Sequence, residues 1–292
     1  MPPPIYVGFD EARFCLTEDC NMDPICRACV RTTKHREFMS EKVIDAFFQK
    51  SNPDTIVQLI ATGGETSLPQ AARAYRYLIH KVIKYGVNLY CSSVITNGQK
   101  ASRELALTSE LARNYCLYCY PESEFEPYME RGAQDWYGEY FSGIYISDRW
   151  YQTYPPKPEV VDFYRQKAPN TFREPIRHPP KDGELLYSAL AEQNGFKCRP
   201  KEGAIEALSD YKLSRYGGVK IIENFRDSGC PLVIVPSFHM STNGDVVPGL
   251  GYSHKLNHQY AMFNVAKEGI VQALMRHDAI QIEPDGTLTK HL

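Results

Sequence analysis

No apolar run in the sequence is long enough to cross a bilayer. The best runs, Thr55-Ile56-Val57-Gln58-Leu59-Ile60 and Pro231-Leu232-Val233-Ile234-Val235-Pro236, are strand-length, far short of the ~20 residues of a membrane helix. An excess of one charge is also lacking. The 33 Lys and Arg against 35 Asp and Glu leave a formal charge of −2, so nothing points to nucleic acid or anionic lipid as a partner. Repeats of roughly 20–50 residues and low-complexity tracts are missing too. The opening Met1-Pro2-Pro3-Pro4 lacks the basic-then-apolar pattern of a secretory signal, so a cytoplasmic location is expected. What the chain has in an unusual number is cysteine. Nine cannot pair completely within one chain, and in a reducing compartment they are candidate metal ligands, catalytic groups or core residues.

An apolar fraction of 43% fits an ordinary globular protein. Strand and helix patterns alternate through the first two-thirds. Short or buried strands are expected at Phe14–Thr17, Thr55–Ala61, Val87–Thr96 and Phe141–Ile146. Helices are expected at Ser40–Lys50, Leu68–Tyr85, Lys100–Tyr115 and Pro158–Gln166. In the first helix Val43, Ile44, Phe47 and Phe48 share a face and Ser40 can cap the N-terminus. In the second, Pro69 suits the first turn and Gly86 can end the helix. This order predicts an α/β fold of parallel strands joined by right-handed crossovers. The last third differs. Leu232–Ser241 and Asp245–Val247 flank Asn243-Gly244, a hairpin signal. A helix is expected over Tyr260–His277, and Pro284-Asp285-Gly286 marks a further turn.

Four polar motifs fall at the carboxyl ends of the predicted strands, where α/β folds gather ligand-binding groups. Cys20, Cys26 and Cys29 follow the first, with five and then two residues between them. Thiolates so close on a loop suit zinc or an iron–sulfur cluster. Gly63-Gly64-Glu65 follows the second strand. Two glycines allow close approach of a ligand to the backbone, and a carboxylate beside them can orient an ammonium group. Thr96-Asn97-Gly98 and Ser147-Asp148-Arg149 follow the third and fourth. Taken singly, the last three read equally as ordinary turns.

Together the four motifs resemble the radical S-adenosylmethionine superfamily over roughly Phe14 to Gln166. The stretch Phe14-Cys15-Leu16-Thr17-Glu18-Asp19-Cys20-Asn21, then Gly63-Gly64-Glu65, Thr96-Asn97-Gly98 and Tyr145-Ile146-Ser147-Asp148, carry the likeness. The resemblance implies a partial (β/α) barrel of parallel strands with a C-terminal hairpin-and-helix extension. Residues 1–170 would form its core, and residues 171–292 the remaining strands and the extension. It implies that Cys20, Cys26 and Cys29 ligate three irons of a four-iron, four-sulfur (4Fe-4S) cluster. The fourth iron would take the amino and carboxylate groups of S-adenosylmethionine. Gly63, Gly64 and Glu65 would hold the methionine amino group, and Asn97 and Ser147 would lie near the adenosine. Reductive cleavage would give a 5′-deoxyadenosyl radical that abstracts hydrogen from a small molecule or peptide. A reducing partner such as a flavodoxin or ferredoxin is implied. Two departures stand out. The family spacing is three residues, then two, and the residue before the last cysteine is usually aromatic; here it is Ala28.

Other readings stay open. Zinc could be held by Cys15, Cys20, Cys26 and Cys29, or by Cys26 and Cys29 with Cys116 and Cys119, in a non-catalytic module. A degenerate relative could bind S-adenosylmethionine without radical chemistry. Cys116 and Cys119 could also act as a redox pair. Outside those alternatives, Cys15, Cys91, Cys198 and Cys230 read as structural. His254 and His258 have zinc-like spacing without a third ligand. Arg27, Arg31, Lys34, His35 and Arg36 form a basic cluster beside the cysteine loop, either a solvated face or a dock for an acidic electron donor or anionic substrate. The tyrosines Tyr115, Tyr118, Tyr120, Tyr137, Tyr140, Tyr145, Tyr151 and Tyr154 suggest a partly exposed cleft.

Overall fold

The computed structural model describes residues 4–29, 36–120, 142–149, 151–173, 192–195, 197, 218–225, 230–247, 261–284 and 287–290. Strands and helices alternate as β1 (Tyr6–Cys15), α1 (Glu41–Ser51), β2 (Pro53–Thr62), α2 (Pro69–Lys84), β3 (Asn88–Thr96), α3 (Arg103–Cys119), β4 (Gly143–Ile146), α4 (Pro158–Lys167) and β5 (Thr171–Arg173). The five strands are parallel and pair in sequence order. Consecutive helices touch: α1 meets α2, α2 meets α3, and α3 meets α4. All four therefore cover one face of the sheet. That is the arrangement of a partial (β/α) barrel, since a doubly wound sheet would send successive helices to opposite faces.

The helix-covered face holds the apolar core, with Val7, Phe9, Phe14, Ile56, Leu59, Tyr75, Leu89 and Val94 all buried. Phe9, Phe14, Phe47 and Phe238 pack ring against ring at centroid distances of 5.1–6.1 Å. The helix ends follow the sequence signals. Ser40 accepts the Val43 N–H at the start of α1, Pro69 opens α2, and Gly86 follows it in the left-handed region at φ +62.

The C-terminal third joins the same sheet. β6 (Lys220–Phe225) pairs antiparallel with β7 (Cys230–Val235), and β7 and β8 (Phe238–Met240) lie parallel along the free edge of β1. The expected hairpin forms. β8 turns through Asn243-Gly244, with Gly244 at φ +88, into β9 (Asp245–Val246). β10 (Phe263–Asn264) pairs with β9, α5 spans Ile270–Arg276, and β11 (Ile280–Ile282) pairs antiparallel with β12 (Leu288–Lys290). Among the described residues, no helix is long and apolar enough to cross a membrane.

Several element boundaries differ from expectation, and the strand expected over Leu232–Ser241 is divided into β7 and β8. β1 starts at Tyr6 rather than Phe14, because Asp10, Glu11 and Arg13 hide an inner strand from a hydrophobicity reading. α3 runs on to Cys119, so Cys116 and Cys119 lie within a helix. The helix expected over Tyr260–His277 is confined to Ile270–Arg276. Its front part bends because the Asn264 side chain accepts the Ala266 N–H and donates to Asp245. Tyr260 itself, Cys198, His254, His258, Arg31, Lys34, His35, Tyr137, Tyr140, Asp285 and Gly286 lie outside the described residues.

Candidate functional site

The register of the sheet brings the four motifs to one edge. Cys15 lies opposite Thr62, Thr96 opposite Ile146, and Ile146 opposite Arg173. Past Cys15 the chain keeps its course briefly, with the Leu16 N–H donating to Thr62 O. It is then turned by the Thr17 hydroxyl, which accepts the Asp19 N–H and donates to Glu37 O. The cysteine loop follows. Cys26 is buried, Cys20 and Cys29 are half-buried, and a hydrogen bond from Cys29 N to Cys26 O closes the turn between the last two. Burial pushes the Cys20 thiol up to about 11; the negative charges of Glu65, Cys26 and Cys29 act in the same direction, against a backbone hydrogen bond at Met22. The three thiols thus share one electrostatic neighbourhood, in which three thiolates repel unless a cation lies among them. Among the described residues no three His, Cys, Asp or Glu side chains converge on a single ion-sized point.

The two glycines are required by the chain itself. A Cβ on Gly63, which has φ +142, would lie 2.4 Å from Thr17 O, and one on Gly64 would lie 1.8 Å from Asp19 O. The gap is closed by hydrogen bonds from Gly64 N to Thr17 O (2.6 Å) and from Glu65 N to Asp19 O (2.8 Å). The motif therefore clamps the base of the cysteine loop onto the end of β2. Glu65 is buried and faces β3. One carboxylate oxygen accepts Thr96 Oγ1 (2.5 Å) and Ser67 N (2.8 Å), and the other accepts Asn97 N (2.8 Å). Burial raises its pKa, and these hydrogen bonds offset only part of that rise. Asn97 then reaches back to the cysteines, with Nδ2 donating to Asn21 Oδ1 at 2.7 Å and lying 3.7 Å from Cys20 Sγ.

Ser147, whose N–H donates to Thr96 O, is buried at the end of β4, and Asp148 pairs with Arg173 of β5. After them comes a strap that none of the four motifs includes. The Ser147 hydroxyl and the Arg149 N–H both donate to Gln152 Oε1. Tyr151 O accepts the Arg27 N–H, Thr153 Oγ1 donates to Pro24 O (2.8 Å), and Tyr154 Oη donates to Asp23 O (3.1 Å). Further on, Pro155 O accepts from Gln99 Nε2, and Lys157 N donates to Gly98 O. Residues 151–157 thus tie the enlarged part of the cysteine loop to the Asn97-Gly98 turn. Only the density of tyrosine there could have drawn attention to it.

Cys20, Cys26, Cys29, Gly63, Gly64, Glu65, Asn97 and Ser147 are all drawn to this edge. Other cysteines point elsewhere. Cys15 turns its thiol to the Glu18 carboxylate at 3.1 Å, and Cys116 is buried beside Cys91. A second polar group was not foreseen. On the sheet face away from the helices, Glu11 Oε1 accepts from Arg13 Nε (2.9 Å) and Ser237 Oγ (3.1 Å) and lies 2.9 Å from His239 Nε2. Burial works against ionisation of Glu11, but His239 and Arg13 outweigh it and hold the carboxyl well below its usual range.

The sequence matches no family model and no curated protein. Among solved structures, it is similar to a histidine-tagged form of anSMEcpe with bound AdoMet, at 13% identity and a TM-score of 0.40, over 94% of this chain and 77% of the other. It is also similar to native anSMEcpe with bound AdoMet and Cp18Cys peptide, at 13% identity and a TM-score of 0.41, over 94% and 80%. A likeness this distant carries no argument about chemistry.

Proposed function

We propose that this chain is an iron–sulfur enzyme that reductively cleaves S-adenosylmethionine and abstracts hydrogen from a small-molecule or peptide substrate, as the sequence resemblance implies. One observation supports it above the rest. The three-cysteine loop, Gly63-Gly64-Glu65 and Asn97 are hydrogen-bonded to one another at one edge of the sheet, and Ser147 is tied to the same edge through Thr96 O. Three soft thiols on one short loop suit the donor set of a cluster, whose ligands sit on separate irons rather than on one ion-sized point. Cys20, Cys26 and Cys29 would hold it, and when bound it supplies the electron that cleaves the sulfonium of S-adenosylmethionine. The N–H groups of Gly64 and Glu65 are committed to the cysteine loop and the Glu65 carboxylate to β3. Backbone carbonyls of the motif are then the acceptors left to an ammonium group. Asn97 and Ser147 would face the adenosine. A flavodoxin or ferredoxin would supply electrons.

Anaerobic reconstitution should load about four irons and four sulfides per chain, and changing Cys20, Cys26 and Cys29 together to Ala should abolish the loading. A triple variant that retains a full cluster would sink the ligand assignment. Colourless protein with about one zinc and no sulfide would replace the reading with a structural zinc module.

A further inference from the structure

The strap carries a polar group that its own hydrogen bonds leave unfinished. Gln152 is half-buried between two residues that reach the cysteine loop: Tyr151 O accepts the Arg27 N–H, and Thr153 Oγ1 donates to Pro24 O. The Gln152 side chain turns instead to the end of β4. Its Oε1 accepts the Arg149 N–H at 2.5 Å and the Ser147 hydroxyl at 3.3 Å. A backbone N–H can only donate, so the amide oxygen is fixed on that side and the NH2 group on the other. Gln152 N donates to Arg149 O at 2.9 Å and locks the turn. Gln152 Nε2 is buried and has no hydrogen-bond partner among the described residues. A buried donor left in that state is destabilising, and in a native fold it calls for a reason. Gln152 belongs to none of the motifs that carry the resemblance.

We propose that Gln152 is a binding residue for the adenosine half of S-adenosylmethionine, its Nε2 donating to an acceptor atom of the nucleoside. The inference rests on the function proposed above. Ser147, which the resemblance sets near the adenosine, is the residue whose hydroxyl the carboxamide accepts. The unfilled NH2 group therefore stands beside that position. Ser147 N in turn donates to Thr96 O, next to Asn97, the other residue so assigned. The donor is neutral, which suits the uncharged oxygen and nitrogen acceptors of a nucleoside; a methionine carboxylate is better met by a cation. The amide is also set in advance. Two donors hold its oxygen, so its NH2 group loses little freedom when a ligand arrives. No bond of Gln152 is made or broken.

The test is calorimetric titration of wild-type protein, Gln152→Glu and Gln152→Met with S-adenosylhomocysteine and with adenosine. It is run on metal-free and on anaerobically reconstituted protein, with iron and sulfide assayed, and the urea midpoint of each ligand-free, metal-free chain is measured beside it. Gln152→Glu keeps an oxygen for Ser147 and Arg149 and loses the NH2 donor; Gln152→Met loses both. Either variant should weaken both ligands about tenfold. The urea midpoint should fall in Gln152→Met, where the Arg149 N–H loses its acceptor, and hold in Gln152→Glu. Unchanged affinity in a folded variant overturns the proposal. So does a loss confined to S-adenosylhomocysteine, which would assign the donor to the amino-acid half. An equal fall of the midpoint in both variants overturns it as well, since the NH2 group would then be a prop of the fold, and so does wild-type protein that binds neither ligand in either form. A chain that loads no cluster yet shows the expected losses refutes the cluster reading and leaves the nucleoside contact standing. A fully loaded chain whose variants bind at full strength refutes the contact and leaves the cluster reading intact.

Discussion

Gly64→Ala probes the clamp on which the site is built. The added methyl would sit 1.8 Å from the Asp19 carbonyl oxygen and 2.5 Å from its carbon, both backbone atoms. Ordinary contact requires the cysteine loop to retreat by roughly 1.5 Å. That retreat breaks the hydrogen bonds from Gly64 N to Thr17 O and from Glu65 N to Asp19 O, worth about 1 kcal/mol each. It also leaves about 1–3 kcal/mol of overpacking strain. The lower entropy of the unfolded Ala chain offsets about 0.4–1 kcal/mol. A net loss of about 2–4 kcal/mol is expected, read as a fall in the urea midpoint of metal-free protein. Gly86→Ala is the control. Gly86 has φ +62, and a Cβ there would meet nothing within 4 Å, so Ala costs about 1–2 kcal/mol of backbone strain alone. A Gly64→Ala protein no less stable than Gly86→Ala would refute the clamp.

Glu65→Gln should change the pH dependence of stability. The folded pKa of Glu65 is raised, so its contribution is complete below the ordinary carboxylate range and is lost as pH rises through the folded value. Stability measured by urea titration should therefore fall less with rising pH in the variant than in wild type; identical pH profiles would contradict the raised pKa. Glu11→Gln acts in the opposite direction. The pKa of Glu11 is depressed by His239 and Arg13, so wild-type protein gains stability above about pH 4.3 and loses it as pH falls, while the variant should be flatter over that acid range in the same titration. Thr153→Val and Tyr154→Phe each remove one hydrogen bond to the cysteine loop. Each should cost about 0.5–1 kcal/mol and speed hydrogen exchange of the Arg27 N–H; unaltered exchange would mean that the strap does not hold the loop.

The helices were legible where local chemistry decides them. Ser40, Pro69 and Gly86 mark ends of α1 and α2 through caps that involve only near neighbours. The placement of the four motifs at strand ends was legible too, because alternating strands and helices leave parallel strands few ways to connect. β1 was cut short for a physical reason. Val7 and Phe9, then Ala12 and Phe14, are buried, so the alternation slips between them, across Asp10 and Glu11. A period-two pattern does not survive that slip. The role of Glu65 was only half legible. Its position beside two glycines is visible in the sequence, but its partners Thr96 and Asn97 lie 31 and 32 residues on. The strap was marked in the sequence only by its tyrosines, and its contacts could not be read, since Thr153 meets Pro24 across 129 residues and Tyr154 meets Asp23 across 131.

The most direct measurement is 5′-deoxyadenosine formation. Anaerobically reconstituted protein, reduced and mixed with S-adenosylmethionine, should release 5′-deoxyadenosine and methionine, and the Cys20, Cys26 and Cys29 triple Ala variant should release neither. Wild-type protein that carries a full, reduced cluster and yields no 5′-deoxyadenosine would contradict the proposed chemistry.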